Sequence, residues 1–431
     1  MPKGNLAVLT AAAALSSLSS IALAFLPVYF TALGGSVAQY GFVTALGMAA
    51  GIPSTLFGGV IIPRFGLRRI VVAASWIAPA FLLGYYLSAD WKVLSVVVVL
   101  AGTGSLGSIA SRQLIADATS AKSRTGQLSL YQTLSTVPAM CSPAAGGYLI
   151  TTLGTIEGFR LAALVAVLTS VASTILIVRF LRETKPRGLV AASRASDSVQ
   201  AAGPAAGKIS EQSSTQHFIP SIVSHLRAFL ANGASLPRVL APLLAAYALV
   251  TFANSATGPY FIFYATSNAK MDTFHWGLVL SIQAVLANLI RTPLGMAADR
   301  FDKRKVILLS ILMTAPLASA FVFVSSFWAI LGLSLAMVAT GIYYGPTHEA
   351  LQIELTPREK RPSLFAVYDI LSNVCRFGGL IAGGILFSVR YALPFYAFTL
   401  LEFAAAVVVA ATLFGRLGTK LGAAQLKTNS T

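Results

Sequence analysis

The sequence predicts an all-α polytopic membrane protein with twelve transmembrane helices in two six-helix pseudo-repeats. Only 10% of its 431 residues are charged and 56% are hydrophobic, whereas a soluble domain carries about 25% charged residues. The apolar residues lie in runs of about 20, the length that crosses a bilayer as a helix. A charged turn in the second half of the chain repeats one in the first half, which indicates two related units.

Twelve candidate spans follow from the apolar runs, and short turns separate most of them. In chain order they cover residues 6–31, 39–62, 68–88, 92–118, 127–152, 158–181, 238–265, 274–298, 304–325, 327–355, 362–388 and 391–415. One long loop, residues 183–236, has a centre rich in Ala, Ser, Gly and Gln, which is typical of a flexible linker. Apolar residues at helical spacing near its end predict a short amphipathic helix on the membrane surface. The predicted organisation is an N-terminal half at 1–182, this linker, and a C-terminal half at 237–431.

The basic residues are concentrated on one side of the predicted membrane. With the N-terminus placed in the cytoplasm, 24 of the 31 Lys and Arg fall on the cytoplasmic side, four in external turns and three inside spans. This asymmetry follows the positive-inside rule and predicts a multi-pass protein of the cell (plasma) membrane with both termini cytoplasmic. It also explains the net charge of +17 without a nucleic-acid partner.

The charged turn at residues 293–305 has a counterpart 236 residues earlier, and the correspondence continues further along at an offset of 237. The matched pairs are Gly59 with Gly295, Arg64 with Arg300, Arg68 with Arg304, and Asp117 with Glu354. Glycine permits a sharp turn and close helix contact. Asp299 can accept hydrogen bonds from a helix N-terminus, where the dipole favours an anion. The arginines of the two turns can pair with Glu354 and Asp117.

With twelve spans and this repeated turn, the chain resembles the major facilitator superfamily of secondary transporters over essentially its whole length. The family signature is Gly-x-x-x-Asp-Arg-x-Gly-Arg-Arg between the second and third helices, with a weaker copy between the eighth and ninth. Here the second copy is the better match, with Asp302 in place of the inner Gly, whereas Pro63 replaces the Asp of the first copy. The resemblance implies that these turns hold a cytoplasmic gate closed in one state. The alternative is that the arginines only anchor the topology.

The fifth span carries Ser-Pro-Ala-Ala-Gly-Gly at residues 142–147, which resembles the Gly-Pro-x-x-Gly-Gly motif of proton-coupled exporters in this superfamily. Ordinary packing of small residues is the alternative explanation. Drug exporters usually carry an Arg before the Gly-rich stretch of the fourth helix, and here residues 96–100 before Gly102 contain none. Efflux is therefore one option among several.

Charged and polar residues inside the spans are candidates for function, because a charge in the bilayer core costs at least about 2.5–3.5 kcal/mol. The candidate substrate-cavity residues are Ser20, Ser108, Arg112, Asn254, Arg291, His348 and Arg376. Glu349 and Asp369 are the candidate proton-coupling residues, since each lies within reach of a cationic partner. The alternative is static interhelical pairing, of Arg376 with Glu349 and of Arg291 with Asp369. Glu402, a lone acid on the last span, is interpreted as protonated or facing the helix bundle.

The predicted function is secondary active transport of a small organic solute by alternating access, with proton coupling and efflux left open. The alternative is a proton-independent facilitator (uniporter) of a sugar or organic anion, and a channel or an intramembrane enzyme is a remote one. The sequence contains no P-loop pattern and no nucleophile or metal-ligand constellation with suitable spacing. We therefore expect no enzyme activity and no cofactor. The expected partners are a small-molecule substrate, the lipid bilayer and, if transport is coupled, protons.

Overall fold

The computed structural model describes residues 4–104, 107, 110–111, 114–115, 124–181, 240–298, 301–356 and 361–413. Among these, side chains are not described for residues 54–65, 124–129, 291–298, 353, 361–363, 365–366 and 412–413. The described residues form helices and turns, with no strand among them. The predicted linker at 183–236 and its amphipathic helix lie outside the described residues, so the boundaries of the two halves stay predictions.

Helices α1 to α6 occupy the places of the first six predicted spans. They are α1 (Gly4–Ser17, Ser20–Leu23 and Leu26–Ala32), α2 (Val37–Phe65), α3 (Leu67–Leu87), α4 (Trp91–Ala101, followed by the 3₁₀ turn Gly102–Gly104), α5 (Arg124–Leu153) and α6 (Thr155–Phe180). α1 is broken where one continuous span was predicted. Ser17 Oγ donates to Ala14 O at 2.7 Å and Ser20 Oγ to Ser17 O at 2.9 Å. Such bonds compete with the helical backbone ladder.

Helices α7 to α12 occupy the places of the last six predicted spans. They are α7 (Leu240–Thr257, the 3₁₀ turn Gly258–Tyr260, Phe261–Phe263 and the π turn Tyr264–Asn268), α8 (Thr273–Ala298), α9 (Lys303–Phe321), α10 (Phe327–Gly341 and Tyr344–Leu355), α11 (Arg361–Val389) and α12 (Leu393–Leu413). In the described part of the chain, nine helices are long and apolar enough to cross a membrane. The prediction of an all-helical polytopic protein is confirmed. For α2, α4 and α5 the predicted membrane span stays a prediction.

α10 is interrupted where the sequence analysis predicted one span at 327–355. Ile342 and Tyr343 form a turn between its two segments. Pro346 has no N–H, so it cannot donate to the carbonyl of Ile342 one turn earlier, as a continuous helix requires. Gly341 and Gly345 on either side of the turn weaken the helix further. The candidate span at this place is confirmed as Phe327–Gln352, and its helix consists of two segments that meet at a joint, which we call the α10 joint (residues 341–345).

Packing inside the two halves follows one pattern. α1 contacts α5, α2 contacts α4, and α3 contacts α6, while α7 contacts α11, α8 contacts α10, and α9 contacts α12. Between the halves, α5 packs along α8 and α2 packs along α11. Two units with the same internal order of helices would produce this arrangement.

Three larger hydrophobic cores organise the described part of the bundle. One joins α1, α3 and α6 within the first half, and another joins helices of the second half only. The third is shared, and joins Phe30 and Tyr40 of the first half to Tyr260 and Phe263 of the second. It lies at the end of the bundle that carries turns 33–36 and 269–272. We call this the closed end, and we call the opposite end, with its Arg and Lys turns after α2 and α8, the basic end.

Candidate transport cavity

Helices α5 and α8 meet at the closed end with almost no space between their backbones. A Cβ added to Gly277 would lie 2.3 Å from Pro143 O, and one added to Gly147 would lie 2.2 Å from Thr273 O. Real Cβ atoms essentially never approach below 3.0 Å, so only glycine fits at both positions. The hydroxyls of Thr151 and Thr273 are 2.9 Å apart and hydrogen-bonded. Backbone contact and polar bonds together close this side of the interface between the halves.

Helices α2 and α11 close the other side in the same way. A Cβ added to Gly41 would lie 2.5 Å from Leu380 O, and one added to Gly384 would lie 3.2 Å from Ala38 Cα. The hydroxyl of Tyr260 donates to Leu380 O at 2.6 Å. The closed end is thus sealed by two helix pairs, each with a glycine of one half on the backbone of the other.

The two seals are related by the offsets of the sequence repeat. Gly41 and Gly277 are 236 positions apart, and the residues whose carbonyls they approach, Pro143 and Leu380, are 237 positions apart. The repeat found in the sequence therefore corresponds to a repeated contact between the halves. This supports the predicted twofold relation of the two halves, whose superposition stays a prediction.

A cleft opens between α2, α4 and α11 next to this seal. Its volume is about 340 Å³, and its lining includes Thr44, Met48 and Gly51 of α2 and Asn373 of α11. Asn373 lies seven positions before Leu380, about two helical turns closer to the basic end. In two-repeat transporters the substrate binds at the interface of the repeats near the middle of the membrane. We therefore take this cleft as the candidate transport cavity.

Three predicted site residues are exposed: Glu349 on α10, and Asp369 and Arg376 on α11, the helix that carries Asn373. Asp369 and Arg376 flank Asn373 at helical spacing, so the three share one face of α11. The ion pairs formed among the described side chains are Arg160–Glu157, His275–Asp272 and Lys303–Glu354. The predicted pair of Arg376 with Glu349 is thus not formed in this conformation. For the predicted pair of Asp369 with Arg291, the side chain of Arg291 lies outside the described part.

His348 lies in an aromatic core of the second half and not on a cavity wall. It is 2% exposed, and its ring stacks at 5.5 Å on Tyr247 and at 5.2 Å on Tyr344. The side-chain nitrogen of Gln352 is within hydrogen-bonding distance of its ring. The structure supports a packed ring and gives His348 no access to a substrate in this state.

The remaining predicted cavity residues divide into three groups. Ser20 Oγ lies 2.5 Å from Ser142 Oγ, and this bond joins α1 to α5 inside the first half. Asn254 is exposed, and its Nδ2 donates to Val250 O at 2.8 Å. Ser108 and Arg112 lie outside the described residues. Of the two described residues, Asn254 is the one placed where a ligand could reach it.

In the first signature turn, Arg68 binds its own half. Its Nε donates to Leu181 O at 2.7 Å, and its guanidinium NH2 group donates to Val178 O at 3.3 Å. These carbonyls belong to the C-terminal end of α6, where the helix dipole favours a cation. The contact joins α3 to α6. The predicted partner, Asp117, lies outside the described residues.

In the second signature turn, Glu354 forms an ion pair with Lys303, whereas the sequence analysis named Arg300 and Arg304 as its possible partners. The pair joins the end of α10 to the start of α9. Asp302 caps α9 by accepting a hydrogen bond from the Arg304 N–H at 3.0 Å. In the first turn this place belongs to Gly66, whose φ of +82° is rarely adopted by other residues.

The other members of the predicted gate are not tested by the described side chains. They are Gly59, Arg64, Gly295, Asp299 and Arg300, for which no side-chain contact is described. The observed contacts of both turns tie helices together inside one half. The gating role of these turns stays a prediction.

A second cavity, of about 360 Å³, lies inside the second half. Its lining comes from five helices and includes Asn254 of α7, Ala287 of α8, Thr314 of α9, Tyr344 of α10 and Glu402 of α12. Glu402 is only 3% exposed. The sequence analysis noted this acid but did not place it among the candidate site residues. No spacing along one helix could reveal a cavity that five helices assemble.

Comparison with known proteins supplies one sequence relative. A stretch of 132 residues is 29% identical to the uncharacterised MFS-type transporter YqjV of Bacillus subtilis (strain 168). The match covers 30% of the present chain and 32% of that protein. The chain therefore matches about a third of the length of this relative.

Solved structures resemble the chain over almost its entire length. The human organic anion transporter MFSD10 (TETRAN) has 14% identity and a TM-score of 0.62, with 95% of this chain and 100% of that chain covered. The peptide transporter POT has 16% identity and a TM-score of 0.66, with 96% and 95% covered. A bacterial homologue of the iron transporter ferroportin, in an inward-facing state, has 15% identity and a TM-score of 0.67, with 95% and 98% covered. At such identities the likeness shows the fold alone.

The family profile agrees with the fold. The profile of the Major Facilitator Superfamily matches residues 7–276 and, a second time, residues 243–427. Together the two matches cover nearly the whole chain. The protein belongs to the Major Facilitator Superfamily and is a multi-pass membrane transporter, not an enzyme.

Proposed function

We propose that the protein carries a small organic solute across the cell membrane by alternating access, and that the structure is its inward-open state. One observation carries this proposal. The two halves share a core and two glycine seals at the closed end, whereas toward the basic end each half has a core of its own. By the positive-inside rule the basic end faces the cytoplasm. The cleft at Asn373 would then be reached from the cytoplasm.

Proton coupling is the mode of energy use that we propose, with Glu349 and Asp369 as the coupling acids. Both are exposed in this state, so water can deliver and remove protons. An acid held by an arginine in the other conformation would lose protons there, because a nearby cation favours the carboxylate. Glu349→Gln and Asp369→Asn should then abolish accumulation driven by a pH gradient and leave counterflow exchange intact. If both variants accumulate substrate like the parent, the carrier is a uniporter or is coupled elsewhere.

The motif at residues 142–147 does not indicate a direction of transport, because helix packing alone explains its glycines. A Cβ added to Gly146 would lie 1.9 Å from Ile21 O, and Gly147 meets Thr273 as described above. Both glycines are therefore required by helix contacts.

A screen in proteoliposomes with imposed pH gradients, across sugars, organic anions and lipophilic cations, would identify the substrate class. Saturation and counterflow would distinguish a carrier from a channel.

Cysteine labelling tests the inward-open assignment. The chain contains two cysteines, Cys141 and Cys375, so Cys141→Ala with Cys375→Ala provides the background. We expect N373C to react with a membrane-impermeant maleimide in inside-out vesicles and to be protected in right-side-out cells. Two exposed positions report sidedness: K305C at the basic end and S325C in the turn before α10.

Two outcomes would contradict the proposal. Equal reaction of N373C from both sides would indicate a continuous pore and therefore a channel. Reaction of N373C together with S325C, and not with K305C, would place the open end outside the cell.

A further inference from the structure

Glu402 is an acid buried in the middle of a membrane helix and facing a cavity. It is the tenth of the 21 residues of α12, and it is 3% exposed. The cavity that it lines holds neutral polar groups from three other helices, including Asn254, Thr314 and Tyr344. The lining is mostly apolar, but a volume of about 360 Å³ that contains these polar groups can hold several waters, each of which needs roughly 30 Å³. A proton could therefore reach the carboxyl through water.

The surroundings of Glu402 contain no cation among the described side chains. From α7 and α9 the cavity receives Asn254, Ser310 and Thr314, and from α10 it receives Tyr344. Behind Tyr344 lie His348 and its aromatic neighbours. On α8, Ala287 lines the cavity and Arg291 follows one turn later, with a side chain outside the described part. A charged carboxylate buried among neutral groups carries a large desolvation cost, which the binding of a proton removes.

The same cavity touches the α10 joint. Gly341, Ile342 and Tyr344 all line it, and they include both residues at which the helix segments end and begin. Just before the joint, Thr314 Oγ1 donates to Thr340 Oγ1 at 2.9 Å, which fastens the first segment to α9. The second segment carries Glu349 toward the basic end. A change of charge in this cavity therefore acts on the point where α10 can bend.

We propose that Glu402 is a proton-binding site that couples its protonation to the bend of α10 and so to the opening of the basic end. This rests on the proposed alternating access and adds a site separate from the exposed acids. The carboxylate takes a proton from cavity water to form a neutral O–H group, and it returns the proton to water in the other state. Protonation favours the inward-open state, and deprotonation favours a state in which water or a cation reaches the carboxylate.

Infrared difference spectroscopy tests proton binding without a substrate. The full chain in lipid is titrated, and the band of protonated carboxylic acids is followed. We expect one such band to persist at neutral pH in the parent, to be lost in E402Q, and to shift in E402D. The band should be unchanged in E349Q and in D369N. A band that is unchanged in E402Q would overturn the proposal. If E402Q does not fold, an unshifted band in E402D would do the same.

Spin-label distances test the coupling to conformation. Labels at R69C and K305C, both exposed at the basic end and one in each half, report its opening in the cysteine-free background. We expect the parent to change its distance distribution with pH, and E402Q to keep the low-pH, open distribution throughout. The same pH dependence in E402Q as in the parent would overturn the proposal. A distribution that never changes, with pH or with substrate panels, would instead contradict alternating access itself.

Discussion

At the scale of single residues, the closed end depends on glycines, whose lack of a side chain allows two helix backbones to touch. Glycine is required at Gly41, Gly147 and Gly277 because a Cβ at each would overlap backbone of the opposite half. Such contacts bring two helix backbones together without long side chains, as small residues do in membrane interfaces. They also make the seal easy to break by adding one methyl group.

We expect Gly277→Ala to destabilise the closed end by about 1–3 kcal/mol, the usual cost of overpacking. The added Cβ would lie 2.3 Å from Pro143 O, so α5 and α8 must separate. The equilibrium should shift away from the inward-open state, and the rate at which N373C is labelled from the cytoplasm should fall. Gly332→Ala is the matched control, because a Cβ there meets nothing within 4 Å. Equal labelling in the two variants would show that the seal does not govern the equilibrium.

We expect Arg68→Gln to lower stability by about 1 kcal/mol, since it removes charge-assisted hydrogen bonds that are partly exposed. The lost bonds run from the guanidinium to Leu181 O and Val178 O. Because both partners lie in one half, labelling of N373C should not change. The measurements are the melting temperature in detergent and the rate at which N373C is labelled. The control is Arg69→Gln, which changes the exposed neighbour of Arg68. A change in labelling without a change in melting temperature would favour the gating role instead.

At the scale of helices, the interruption of α10 is a point at which the second half can bend. α10 consists of two segments because Pro346 withholds a hydrogen bond and the two glycines lower helix stability. α9 also contains a proline, Pro316, and yet continues as one helix from Lys303 to Phe321. A proline alone is therefore insufficient, and the combination with Gly341 and Gly345 accounts for the joint.

We expect Pro346→Ala to stiffen the α10 joint by allowing the N–H of residue 346 to reach the carbonyl of Ile342. A proline inside a helix costs ~3 kcal/mol. Recovery of half of this would slow amide exchange by about tenfold, since ~1.4 kcal/mol corresponds to one factor of ten. Hydrogen exchange of the peptide around residues 342–348 is the measurement. Pro316→Ala is the control and should leave exchange at the joint as it is. Unchanged exchange in Pro346→Ala would assign the joint to its glycines.

At the scale of the whole molecule, the halves repeat not only their order of helices but also their contacts. Gly146 lies against the ring of Phe25 in the first half, and Gly383 lies against the ring of Tyr260 in the second. The two glycines are 237 positions apart in the sequence, and the two aromatic residues are 235 apart. Contacts of α1 with α5 and of α7 with α11 are therefore equivalent. Rocking of two such units about one interface is how transporters with internal repeats alternate.

The twofold relation yields a test by crosslinking. We expect the pair T151C and T273C to form a disulfide, because the replaced hydroxyls are 2.9 Å apart. The offset of 237 relates Thr151 to Ser388, and the offset of 236 relates Thr273 to Val37. The twofold relation therefore predicts an equivalent pair, V37C and S388C. Both pairs should crosslink under mild oxidation, and each crosslink should stop transport until it is reduced. Single variants are the controls. Failure of the second pair alone would contradict the twofold relation at the closed end.

Much of the fold could be predicted because its signals are one-dimensional. Apolar runs have the length of a bilayer, and the repeat is visible as matched residues at a nearly constant offset. The joint in α10 was not predicted, although Gly341, Gly345 and Pro346 are all present in the sequence. Counting apolar residues measures the cost of leaving water and is insensitive to a missing backbone donor. The pairing of Glu354 with Lys303 depends on one residue of helical rotation, which a sequence pattern does not resolve.

By itself, the sequence determined that this chain is a two-part helical membrane transporter, because solvent partitioning and chain length act on composition and local order. Only the tertiary structure showed that Asn373 lines a cleft and that Glu402 faces a cavity next to the α10 joint. Such features arise from residues far apart in the chain that meet in one conformation. Alternating access gives one sequence more than one such set of contacts, so the pairings belong to the state and not to the sequence.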